Sequence, residues 1–183
     1  MLFRSRGADR VIHVEDDSLA FADAAMIADA LAPAMEVEQF DLVLTGLQSD
    51  DQGHGQMGVV LAERLEMAHS TIIMEVQVHD GGSVRVNREL EGGWFQKIRI
   101  PLPAVLTIQS GINQLRYATL RGIMAAKTRE IKRVPLPPGL RPTQHIVALS
   151  LPARSKQTQI IGGAPDTAAA ELVRRLRDEA RVL

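Results

Sequence analysis

At 183 residues, 45% of them apolar, the chain has the length of one ordinary domain and enough apolar material for a core; folding at this size hides roughly 70% of the extended chain's surface. A net charge of −1 excludes the global field that would gather nucleic acid or anionic lipid, and the lack of cysteine excludes a disulfide framework, a thiolate zinc site and a cysteine nucleophile. No apolar run reaches the ~20 residues of a membrane span, and "MLFRSRGADR" lacks the apolar core of a secretory signal, so a soluble cytoplasmic protein with no nucleic-acid partner and no direct membrane insertion is expected.

In chain order, "RVIHVE" (10–15) is a β-branched run that predicts a short buried strand. Ser18 then offers a helix cap, followed by Leu19, Ala22, Met26, Ile27, Ala30 and Leu31 on one face, with Asp23 and Asp29 turned away and Pro33 near the end. "DLVLTG" (41–46) is a second buried run. After a glycine-rich loop, Met57, Val60, Leu61 and Leu65 form one stripe of a second helix. This βαβα order predicts a parallel sheet covered by helices.

From Thr71 the hydrophobic period becomes twofold. "TIIMEVQVHD", "SVRVNREL" and "WFQKIRI" are separated by Gly81-Gly82 and Gly92-Gly93, which supply the positive φ angles of tight hairpins and so predict an antiparallel insert with Trp94 packed in its layer. "PAVLTIQSG" (103–111) is apolar again and is expected to re-enter the main sheet. A loop and a short basic helix follow within 112–134, with Lys127, Arg129, Lys132 and Arg133 as a solvated face. Beyond lie the proline-rich link "PLPPGLRP", a strand candidate "HIVALSL" (145–151), and a last amphipathic helix from Asp166 or Thr167 that buries Leu172, Val173 and Leu176.

The loop "QSDDQGHGQMG" (48–58) leaves the carboxyl end of a parallel strand and enters a helix, where unpaired backbone N–H groups and the helix dipole favour an anion. Gly53, Gly55 and Gly58 would let the backbone approach a phosphate, with Asp50 and Asp51 upstream facing a ribose or a neighbouring loop. The pattern is neither the dinucleotide fingerprint nor the P-loop, and a glycine-rich connection that binds nothing is the other reading. His54 sits in the same loop, as an anion contact or as a solvent-facing side chain. The five histidines lack partners at metal-ligand spacing, Ser49 and Ser110 lack a nucleophile elbow, and the adjacent carboxylates Asp16-Asp17 and Asp50-Asp51 point apart, so neither a metal site nor catalytic residues are expected.

"RYATLRGIMAAKTREI" resembles the signature segment of the electron transfer flavoprotein β subunit, and "GADRVIHV", "DLVLTGLQSDDQGHGQMG" and "RELEGGWFQKIRIPLPAVLTI" resemble the same family in the same order. The resemblance implies a three-layer α/β/α nucleotide-binding domain, mostly parallel, with an antiparallel hairpin insert and a C-terminal arm. On this reading residues 1–134 form the domain and 135–183 the arm and helix that pack on the partner. It further implies a non-catalytic subunit of a heterodimer whose α subunit holds the redox-active FAD, with AMP, or a second FAD, in this subunit. Electrons would pass from flavin-dependent dehydrogenases to a quinone reductase or another acceptor.

Carried over by position, the family's nucleotide contacts fall on Gln48, Asp51, His54, Gly55, Gln56 and Met57. Met57 stands where many members have threonine, which leaves only its backbone N–H for a phosphate. The partner-docking segment falls on Tyr117, Ala118, Thr119, Leu120, Arg121, Ile123 and Met124, with Leu120 as its anchor; an exposed leucine beside a basic helix also fits a docking anchor unaided, and a core residue is the alternative. The family pattern begins with a strand, a helix and a second strand ahead of the "GADR" segment, so the first strands of the fold are expected to be absent or supplied by another chain. A nucleotide-binding regulatory or structural module without an electron-transfer role is the competing function.

Overall fold

The computed structural model describes residues 4–79, 81–151 and 158–182. They form two compact units, 1–145 and 146–183. In the first unit, β1 (Val11–Val14) is followed by a 3-10 turn at Asp17–Phe21 and by α1 (Ala24–Glu36). The expected single helix from Ser18 is therefore two pieces. Asp16 caps the turn by accepting from Ser18 N–H, and Asp23, expected to face away, caps α1 by accepting from Met26 N–H at 2.8 Å. Pro33 lies inside α1.

The next elements are β2 (Leu42–Gly46), α2 (Met57–Arg64), β3 (Ala68–His79), β4 (Ser83–Glu89), β5 (Phe95–Pro101) and β6 (Ala104–Ile108). They build a five-stranded sheet in the order β2-β6-β3-β4-β5. β6 runs parallel to both β2 and β3, with Leu42 opposite Ala104 on one side and Ala68 opposite Ala104 on the other. β3, β4 and β5 are antiparallel, and the paired glycines at the turns take positive φ, so the hairpin insert stands as expected. Asp80, at the end of the expected strand 71–80, lies outside the described residues. The architecture is mixed α/β with a mostly parallel sheet and helices, in keeping with a three-layer α/β/α arrangement.

β6 is buried on both faces, as the middle strand of a covered parallel sheet must be. On one face Val105 packs with Val43, Leu61, Ala62 and the small residues Ala28 and Ala32 of α1; on the other, Ala104 and Leu106 pack with Ile73, Val84, Val86 and Ile100. Close approach of α2 to the sheet depends on Gly58. A Cβ there would fall within 2.6 Å of Thr107 Cγ2 and closer still to Thr45 Oγ1. This glycine serves helix-to-strand packing, which corrects its reading as an opening for phosphate.

β3 is irregular. Its register shifts against β6 between Ser70 and Ile73, and against β4 between Ile73 and Glu75. Within the first shift Ile72 adopts φ 58°, a strained value for a β-branched residue, and its N–H donates to Thr107 Oγ1 at 3.3 Å. The bulges fall where the sheet passes from parallel to antiparallel pairing.

α3 (Leu120–Thr128) and β7 (Ile131–Val134) complete the unit. β7 pairs in parallel with β1 in a separate two-stranded sheet. Its residues were expected to continue the basic helix. Instead they form a strand, and the basic side chains stay exposed, as expected of a solvated face, with Arg129 donating to the carbonyls of Ala8 and Asp9, Lys132 pairing with Glu38 and Arg133 with Glu15. Trp94 is 74% exposed rather than packed in the hairpin layer. The proline-rich segment ends in a clasp: Thr143 N–H, Thr143 Oγ1 and Gln144 N–H all donate to Asp23 Oδ2, at 2.6, 2.6 and 2.8 Å.

In the second unit, 146–151 is not a strand, and Val147, Leu149 and Leu151 are exposed. α4 (Pro165–Asp178) starts with proline in its first turn. It buries none of its residues, so Leu172 and Val173 are exposed, contrary to the sequence expectation. Glu171 accepts from both Arg174 and Arg175, and these hydrogen bonds hold its carboxyl at about 2. Among the described residues no helix is long and apolar enough to cross a membrane.

Candidate functional site

The loop between β2 and α2 lines a cavity of about 300 Å³ together with the start of α1. Two helices therefore begin at one space. α1 is capped by Asp23, whereas Gln56, which precedes α2, makes no side-chain capping hydrogen bond, so α2 begins without a side-chain acceptor at its first N–H groups. The loop reverses at Gly53 and Gly55, with φ 66° and 61°. At Gly55 a Cβ would meet only ordinary contacts, so it is the left-handed backbone, not crowding, that calls for glycine.

Of the residues singled out from sequence, Gln48, His54, Gly55, Gln56 and Met57 line the cavity. Asp51 does not. Its carboxylate turns into its own loop, where the Ser49 hydroxyl and the Gln52 N–H hydrogen-bond to it and lower its pKa. The sequence reading missed Asp23 and Ile27 of the lining, which come from the N-cap and first turn of α1. Asp23 is the one carboxylate among the lining residues. The Thr143 hydroxyl, with the N–H groups of Met26, Gln144 and Thr143, lowers its pKa to about 2, and both its oxygens face those donors, away from a competing role as acceptor for ligand.

The donor set fits a phosphorylated nucleotide in one respect and limits it in another. Loop backbone and the uncapped start of α2 suit an anion, with amide and imidazole side chains beside them. The volume lies at the lower end of the range for small-molecule sites. No metal-binding group of three or more His, Cys, Asp or Glu occurs among the described residues.

The segment assigned to docking is exposed from Tyr117 to Arg121 and again at Met124. Thr119 caps α3, its hydroxyl accepting from Gly122 N–H at 3.1 Å. Leu120 is thus the first residue of the helix and not part of a loop. Tyr117, Leu120 and Met124 are exposed, Leu120 by 78%, which removes the alternative that it is packed in the core. Ala118 and Arg121 are also exposed, while Ile123 is half-buried. The helix is seated by Ala126, fully buried, and by Gly122, whose missing Cβ would lie 2.6 Å from the Ser5 carbonyl oxygen.

The fold is that of an α/β protein with a cavity at a strand-to-helix loop. Residues 3–138 match the family model for the electron transfer flavoprotein domain. The chain is 41% identical over 133 residues to the electron transfer flavoprotein subunit beta of Methylophilus methylotrophus, a match covering 72% of this chain and 50% of that protein. It is 33% identical over 179 residues to the Bacillus subtilis subunit beta and 34% over 181 residues to that of Sus scrofa, covering 94% and 96% of this chain and 68% of each relative. The chain belongs to the electron transfer flavoprotein β-subunit family. It spans half to about two thirds of the length of these relatives.

Proposed function

We propose that the chain acts as the β side of an electron transfer flavoprotein: a non-catalytic, cytoplasmic subunit that joins an α subunit holding FAD and carries electrons from flavin-dependent dehydrogenases to a quinone reductase or another acceptor. The observation that supports this reading is the family match over residues 3–138, beside a cavity at the strand-to-helix loop 48–57. FAD, when bound by the partner, supplies the redox chemistry. This chain's contribution is binding and placement.

In that role the loop 48–57 holds the phosphate of an adenine nucleotide, with Gly55, Gln56 and Met57 offering backbone N–H groups and Gln48 and His54 flanking them. A volume of about 300 Å³ supports AMP over a second FAD, which would have to extend beyond the cavity. The exposed stretch from Tyr117 to Met124 docks a dehydrogenase through Leu120, and the segment from residue 135 onward, with its exposed apolar side chains, lies on the α subunit.

The test is co-expression with a flavin-binding α subunit, followed by co-purification, nucleotide extraction and a visible spectrum. A yellow heterodimer with one AMP in addition to its FAD is the expected result. A colourless chain that recovers no α subunit would refute the assignment.

A further inference from the structure

We propose that the outer edge of the sheet, at β5, binds an acidic extended segment of another protein as an added strand. β5 ends the order β2-β6-β3-β4-β5 and pairs with β4 alone, so one row of its backbone N–H and C=O groups has no strand beside it among the described residues. Residues opposite each other across two strands share a face, which fixes what an added strand would meet. Arg85 stands opposite Arg99, and Lys97 lies two residues from Arg99 on that same face; all three are exposed. Among the described residues none of them enters an ion pair. The carboxylates of this face, Glu75 on β3 and Glu89 at the end of β4, lie on inner strands, and Glu75 accepts from Gln77.

Like charges directly opposite on a sheet repel. Carboxylates set against Lys97 and Arg99 would relieve that repulsion, and a strand laid on β5 supplies them only at positions two residues apart, because alternate side chains reach one face. The residue between them falls on the other face, beside half-buried Ile98 and buried Ile100, and is therefore apolar. The occupant is a segment that reads acidic, apolar, acidic, such as Glu-Val-Glu, held by main-chain hydrogen bonds and selected by its carboxylates. A second copy of this chain does not fit. Laid antiparallel on β5 about Ile98, its Lys97 would meet Arg99 and its Arg99 would meet Lys97. β5 is the sheet edge opposite β2 and its loop, so this surface adds to the flavoprotein reading without resting on it.

The experiment adds the peptide acetyl-Thr-Glu-Val-Glu-Val-Thr-amide to the full chain, with acetyl-Thr-Lys-Val-Lys-Val-Thr-amide as the opposite charge and single-stranded oligothymidylate as a polyanion that cannot form a strand. Trp94 is the single tryptophan, 74% exposed, and immediately precedes β5, so its fluorescence reads binding there, while amide exchange along 95–100 reads strand pairing. A saturable change in Trp94 emission with the acidic peptide, slowed exchange in β5 and weakening by salt are expected. Lys97→Glu, checked by a melting curve, should lower that affinity about fivefold and transfer binding to the lysine peptide. Equal response to both peptides, no saturation in the millimolar range, tighter binding of oligothymidylate, binding without slowed exchange in β5, or unchanged affinity in Lys97→Glu would each overturn the proposal. None of these readouts involves the α subunit or the loop at 48–57.

Discussion

A single hydrogen atom at Gly58 decides how near α2 can come to the sheet. Thr45 and Thr107 stand on adjacent parallel strands, and both side chains fill the place of the missing Cβ. Gly58→Ala should therefore destabilise the first unit by about 1–3 kcal/mol, as overpacking of a tight contact does; adding Thr107→Ser, which removes Cγ2, should recover part of the loss in a urea titration. A neutral Gly58→Ala would show that the helix can shift freely. None of this was readable in sequence, since the two threonines lie far from Gly58 in the chain and the glycine sits among others that serve turns. The clasp at Asp23 was equally hidden, its donors Thr143 and Gln144 being brought in only by the proline-rich segment. Because the folded state lowers its pKa from 3.8 to about 2, the clasp contributes stability that is complete above the ordinary aspartate range and is lost as pH falls through about 2. Amide shifts of Thr143 and Gln144 should titrate with a midpoint near 2, and a midpoint near the usual ~3.9 would mean that the contact does not persist in solution.

Among the elements, α3 separates position from contact. Its seat is Gly122 against the Ser5 carbonyl, and its exposed face carries Leu120 and Met124. Leu120→Ala should leave stability within about 0.5 kcal/mol, as surface changes do, while lowering the rate of reduction by a dehydrogenase in the proposed heterodimer. Gly122→Ala should instead shift the helix and reduce both amide protection of α3 and that rate. Reduction kinetics beside melting curves separate the two; an unchanged rate in Leu120→Ala removes it from docking. Strands with alternating or wholly apolar side chains, such as β2, β4 and β6, were legible, as was α2 from its stripe. β7 was not. "IKRV" is four residues long, half of them basic, and continues a helical pattern; it is a strand because its backbone pairs in parallel with β1, from Val11 opposite Ile131 to Val14 opposite Val134.

At the scale of the whole molecule, the loop proposed to hold a nucleotide could be located from sequence because strand, loop and helix are contiguous, whereas the α1 wall of its cavity could not. If the loop binds AMP at millimolar excess over a micromolar dissociation constant, the complex should gain about 4 kcal/mol by mass action, and its melting temperature should rise with added AMP; no rise would count against an adenine nucleotide there. The sheet order has a separate consequence, for how the chain acquires its shape during synthesis. β2 and β3 share no edge until β6 comes between them, and β1 has no partner until β7 is made. Only the β3–β4–β5 hairpins can close from local sequence. A nascent chain halted before Ala104 should thus hold a formed meander beside two helices and unpaired strands open to chaperones or to aggregation, and refolding of the released protein should be slow for its size, limited by the search for distant pairings and not by turns or helices.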